Sequence, residues 1–192
     1  IQELYWQQSQ LQHKDPAVQL PPKFNVISGQ IADLTGDGKL ENAYIRNGVL
    51  WIYSGKKRLY ASPKQMGGSL SILTYKVDPT LLDYRTTSVF FEIAPVAVDV
   101  DGDGRKELLG VSSDQSSFKI PGITTTIDKS WIMVFDYEEE NFVKSSLTPQ
   151  VSAAIQGLGV TDHQLLLVTT DTGDSPEAGG SSRLHSVDLT LQ

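Results

Sequence analysis

Apolar and polar residues alternate along most of this chain with a period of two. Residues 26–31, 43–45, 49–53, 70–75, 89–98, 107–111, 131–135 and 165–169 each read as a β-strand. These runs are short, rich in β-branched or aromatic side chains, and bounded by Gly, Pro, Asp, Asn or Ser. A helical period is hard to find. Residues 1–14 alone admit one, through Leu4 and Leu11 seven positions apart, and the adjacent Tyr5 and Trp6 suit a strand equally well. The pattern predicts an all-β protein.

The strands recur as a unit. Residues 30–45 align with 96–111, so that Asp33, Gly36, Asp37, Gly38 and Glu41 coincide with Asp99, Gly102, Asp103, Gly104 and Glu107. Each unit then runs on to a Trp-Ile strand, at Trp51-Ile52 and at Trp131-Ile132; residues 112–129 form an insertion in the second. A third, degenerate unit is visible where 164–168 resembles 107–111 and 184–189 takes the place of the Trp-Ile strand. Its loop, 157–163, keeps one carboxylate. Units of about 60 residues with about four short strands each suggest blades of a β-propeller. The predicted division is an N-terminal strand or cap over 1–23, a first blade over 24–76, a second over 77–148 and a degenerate third over 149–192. The stretches 112–129 and 171–182 read as loops within blades.

The aligned segments carry the chemistry. In the second, Asp99, Asp101 and Asp103 occupy loop positions 1, 3 and 5, Gly104 position 6, Arg105 position 7 and Glu107 position 9. A hard cation such as Ca²⁺ takes six to eight oxygen ligands at about 2.3–2.6 Å. Alternate carboxylates point inward when a chain wraps such an ion, and a glycine at position 6 permits the sharp turn. Position 7 offers a backbone carbonyl, so the charge of Arg105 need not approach the ion, and Glu107 closes the shell. The first loop repeats this with Asp33, Thr35, Asp37, Gly38, the carbonyl of Lys39, and Glu41. Thr35 replaces a carboxylate by a neutral hydroxyl, which makes the second site the stronger of two structural Ca²⁺ sites. A lone Asp-Gly turn needs no metal, but two matched acidic loops in matched places within a repeat crowd carboxylates whose repulsion a cation relieves. An EF-hand is excluded: position 12 is Tyr44 or Gly110 where a bidentate Glu is required, and β-type sequence follows both loops.

These loops and their flanking strands resemble FG-GAP repeats, also described as VCBS-type repeats, found in integrin α-subunit propellers and in many bacterial exported proteins. The likeness covers about half of the chain. The Phe-Gly and Gly-Ala-Pro marks of the family survive only as an echo, in Phe91, Ala94 and Pro95. The resemblance implies a β-propeller with structural calcium, held by Asp33, Thr35, Asp37, Lys39 and Glu41 and by Asp99, Asp101, Asp103, Arg105 and Glu107. Propellers typically have four to eight blades. Three blades therefore require further blades from a longer protein, a second copy, or a cap formed by the N-terminal stretch. The Ile1 start favours a longer protein.

Composition narrows the partners. A formal net charge of −7 without a basic cluster argues against nucleic acid. The absence of cysteine removes disulfides, thiolate metal sites and a cysteine nucleophile. No apolar run approaches the roughly 20 residues that span a bilayer, so these residues insert in no membrane. His13, His163 and His185 are scattered, and neither a nucleophile elbow nor a phosphate-binding glycine loop occurs. Residues 138–141 read as a solvated hairpin tip. The matched Trp51 and Trp131 read as packing residues more than as a platform for sugar. The expectation is a non-catalytic binding or scaffold module of an exported, cell-surface or periplasmic protein, with a protein or carbohydrate ligand. The alternative is the propeller portion of a secreted polysaccharide-acting enzyme, against which stands the lack of Tyr, Arg or His in 112–127.

Overall fold

The computed structural model describes residues 2–15, 18–63, 65–76, 86–115, 127–161, 164–171 and 181–189. It is all-β, as the period-two pattern requires. His163 and most of the two predicted long loops lie outside the described residues. Among the described elements none is a helix, so no helix is long and apolar enough to cross a membrane.

In chain order the strands are β1 (Glu3–Gln7), β2 (Gln10–Lys14), β3 (Gly29–Ala32), β4 (Glu41–Arg46), β5 (Val49–Ser54), β6 (Lys57–Ala61), β7 (Ile72–Lys76) and β8 (Thr86–Phe90). Then follow β9 (Val96–Val98), β10 (Glu107–Gln115), β11 (Ile127–Glu138), β12 (Asn141–Ser146), β13 (Ala154–Thr161), β14 (Gln164–Thr170) and β15 (Ser182–Asp188). Three antiparallel meanders result. Sheet one is β3-β4-β5-β6, sheet two is β9-β10-β11-β12, and sheet three is β13-β14-β15. Two hairpins, β1-β2 and β7-β8, stand apart from them, and among the described residues no sheet closes into a barrel. The predicted boundary at 76/77 falls between β7 and its partner β8.

The sheets pack through alternating side chains. In β10, Leu108 joins Phe135 and Phe142 of sheet two against Ala43, Ile45, Leu50 and Ile52 of sheet one. The next residues on the other face, Leu109 and Val111, join Ile132 and Val134 against Ile155, Leu165 and Leu167 of sheet three. Sheet two is thus apolar on both faces and lies between its neighbours. Burying each such side chain contributes about 1.5–3 kcal/mol. The sheets are also tied along their ends. Gly67 donates to Val111 O at 2.8 Å and Ser113 N to Gln65 O at 2.9 Å. Gln156 accepts from Leu70 N at 2.8 Å and donates to Gly68 O at 3.2 Å.

The structure refines several expectations and overturns others. Residues 1–14 form a hairpin, with Trp6 opposite Leu11. It contacts no other described element, and Trp6 is 74% exposed. Later in the predicted 1–23 segment and just beyond it the chain does meet sheet one: Asn42 donates to Gln19 O, and Phe24 meets Tyr44 edge to face. The strand expected from 26 starts at Gly29, because Ile27 N bonds the Asn25 side chain in a local turn that competes with the ladder. The run 89–98 is not one strand. β8 ends at Phe90 and β9 begins at Val96, after Pro95, whose nitrogen has no hydrogen to give a ladder. The tip at 138–141 is a two-residue turn: Glu138 pairs with Asn141, and Glu139 and Glu140 have φ of 46° and 66°.

Candidate metal centre

Both acidic loops join the first two strands of a sheet. Asp33 follows β3 directly and Glu41 opens β4; Asp99 follows β9 and Glu107 opens β10. Ladder pairing of Ala32 with Glu41, and of Val98 with Glu107, therefore fixes the two ends of each loop. Between those ends the chain winds around its first aspartate. Asp33 Oδ1 and Oδ2 accept from Gly36 N at 2.8 Å and Gly38 N at 2.9 Å. Asp99 does the same with Gly102 N at 2.7 Å and Gly104 N at 3.0 Å. Gly38 and Gly104 hold φ of 80° and 89°, which other residues adopt only with strain. The sequence repeat is therefore a repeat in geometry, down to single hydrogen bonds.

The glutamates at position 9 carry the most informative feature. Glu41 and Glu107 are 1% and 3% exposed. Each spends one oxygen on the backbone of position 2: Leu34 N donates to Glu41 Oε2 at 3.0 Å, and Val100 N to Glu107 Oε2 at 2.6 Å. In both, the other oxygen, Oε1, is buried with no hydrogen-bond donor in reach. A buried charged acceptor without a partner costs more than the 1–3 kcal/mol of a neutral one. One such atom is an exception to be explained. Two, at the same position of two loops, are a design that fits a cation. Burial raises the Glu107 carboxyl above the usual carboxylate range; its bond from Val100 N–H opposes this, and the nearby Asp101 charge adds to it.

Asp99, Asp101 and Glu107 present oxygens that all lie within 4.8 Å of one another. Among the described residues this is the one cluster of three such groups so close. A set made wholly of oxygens suits a hard cation such as calcium or magnesium. Asp103 is not in the cluster. Its Oδ1 accepts from Arg105 N at 2.7 Å and its Oδ2 from Arg105 Nε at 2.8 Å. Those bonds hold its carboxyl below the usual carboxylate range. The first loop does likewise. Asp37 Oδ1 accepts from Lys39 N and Oδ2 from Lys39 Nζ, each at 2.8 Å, and the side-chain bond lowers its carboxyl most. Thr35 Oγ1 lies 3.5 Å from Glu41 Oε2. The charged side chains at position 7, expected to stay clear of the ion, thus engage the carboxylate at position 5. The opposite charges two residues apart were visible in the sequence; that the wound loop brings them together was not.

Among the described residues no histidine joins a further cluster of metal-ligating groups. His185, on the exposed strand β15, has its Nε2 2.8 Å from Oγ1 of Thr169 on β14, and His13 is exposed on β2. Trp51 and Trp131 are half-buried: Arg58 stacks over the Trp51 ring, and Trp131 Nε1 donates to Met133 Sδ at 3.0 Å. Comparison with known proteins returned no match to a family model, to a curated protein or to a solved structure.

Proposed function

We propose that the chain is a calcium-stabilised, non-catalytic binding or scaffold module, made of propeller-like blades, of an exported or cell-surface protein. The observation that carries the metal reading is the buried, unpartnered Oε1 of both Glu41 and Glu107. A divalent ion in each loop gives those atoms a partner and neutralises the clustered aspartates. Asp99, Asp101 and Glu107 would hold the second ion, with Asp103 and the carbonyl of Arg105 joining; Asp33, Thr35, Asp37, Glu41 and the carbonyl of Lys39 would hold the first. The ion supplies charge compensation and a cross-link between neighbouring strands. The three successive meanders, with sheet two apolar on both faces, support the reading of the sheets as blades.

Sites of this extracellular-module type are weak, with Kd of about 10⁻⁴–10⁻³ M. Such sites fill outside cells and stay largely unfilled in the cytosol, which supports the exported location. Calorimetric titration with CaCl₂ tests the reading. Uptake of two ions, the first loop binding more weakly because Thr35 stands where the second loop has a fourth carboxylate, is the expected result. No uptake up to several millimolar overturns it.

A further inference from the structure

The two loops share one arrangement that the ligand set alone does not require. In each, both oxygens of the position-5 aspartate are taken by the residue at position 7. Lys39 supplies its backbone N–H and its ammonium to Asp37. Arg105 supplies its backbone N–H and its guanidinium, through Nε and Nη2 at 2.8 Å each, to Asp103. A cation that recruits this carboxylate competes for oxygens already bonded to a resident positive charge. We propose that Arg105, and more weakly Lys39, is a built-in counter-ion that competes with calcium for the carboxylate at position 5 and so sets the calcium concentration at which each loop fills. The inference rests on the calcium reading above and concerns how that site is regulated.

The two counter-ions differ in how they are held. The Lys39 side chain is 75% exposed, and its ion pair is with Asp37 alone among the described residues. When calcium draws Asp37 inward, the ammonium swings into water, where salt and solvent screen it. Arg105 is anchored. Its Nη1 donates to Tyr137 O at 2.6 Å and lies 3.9 Å from Asp136 Oδ1. Its stem also runs against the first loop: a Cβ added at Gly36 would lie 3.0 Å from Arg105 Cδ. With these contacts in place the guanidinium stays beside the second loop after Asp103 turns to the ion, and its charge continues to oppose the divalent cation. The second loop has one more carboxylate than the first, and it also has the better-held competitor. The two features act in opposite directions, so the second loop remains the stronger by less than its extra carboxylate alone would make it.

Because position 7 serves the ion through its backbone carbonyl, its side chain is replaceable without loss of a ligand. The test is calorimetric titration of the whole chain with CaCl₂ at low ionic strength, on the wild type, Arg105→Met and Lys39→Met. Arg105→Met is expected to bind its stronger ion roughly fivefold more tightly, the size of a unit charge removed several ångströms from a divalent ion in largely aqueous surroundings. Lys39→Met is expected to change affinity by less than about twofold, since its charge is screened. Should the methionine variant fail to fold, Arg105→Gln retains a donor for Tyr137 O and removes the charge, and the same tightening is expected. Affinity that is equal or weaker in a folded Arg105 variant, with calcium still taken up by the wild type, overturns the competitor role and leaves the calcium reading standing. A wild type that takes up no calcium overturns both.

Discussion

Val100 and Glu107 face each other across the second acidic loop, with Val100 N–H donating to Glu107 Oε2 at 2.6 Å while Oε1 of the same carboxylate stays buried and unpartnered. Leu34 and Glu41 repeat the relationship in the first loop. The bond orients the glutamate and leaves its other oxygen available to the proposed ion. Glu107→Gln therefore has opposite consequences with and without the ion. In chelator the variant is expected to melt at or slightly above the wild-type temperature, since it removes an uncompensated buried charge. In millimolar calcium it is expected to gain less than the wild type does. Paired melting curves under the two conditions check this; a variant that melts lower than wild type in chelator contradicts it.

Much of this was legible before the fold. Aspartates at alternate positions and a glycine at position 6 fix the backbone of each loop locally, so Asp33, Asp37, Asp99 and Asp103 could be placed from spacing alone. The third unit could be found because residues 164–168 resemble 107–111. What escaped was set by competition or by winding. Asn25 captures the backbone of Ile27 in a local turn, and Pro95 interrupts a run that hydropathy alone reads as continuous. The Arg105 contact with Tyr137 O joins residues 32 apart, which no local pattern specifies.

The two cores predict how the sheets unfold. Phe135 is 1% exposed in the core shared by sheets one and two, and Ile132 is fully buried in the core shared by sheets two and three. Both lie on β11. Phe135→Ala is expected to cost about 3–5 kcal/mol and Ile132→Ala about 2–5 kcal/mol. Each is expected to shift one common transition in urea, because sheet two links the cores. Two separate transitions, each moved by one variant only, would show that the sheets unfold independently.

Alkaline pH offers a second handle on the same packing. Burial raises the hydroxyls of Tyr44 and Tyr60 above the ordinary 10.0, and in Tyr44 the neighbouring Tyr53 adds to the shift. The unfolded chain therefore releases these protons first. The contribution of each tyrosine is intact below the unfolded value and is lost as pH rises through 10 toward the folded value. Melting temperature is expected to fall across this window, and Tyr44→Phe is expected to flatten the fall. An identical slope in the variant would remove Tyr44 from the explanation.

A structural role for calcium is checked by the melting temperature of the wild-type chain in excess calcium against excess chelator. An ion that binds the folded state alone stabilises it by RT ln(1 + [L]/Kd), about 2.7 kcal/mol at a hundredfold excess over Kd. A transition that moves up by several degrees in calcium, rises further with each increment of the ion, and returns on chelation is the result predicted. A melting temperature that is the same in chelator and in calcium at tens of millimolar contradicts the account.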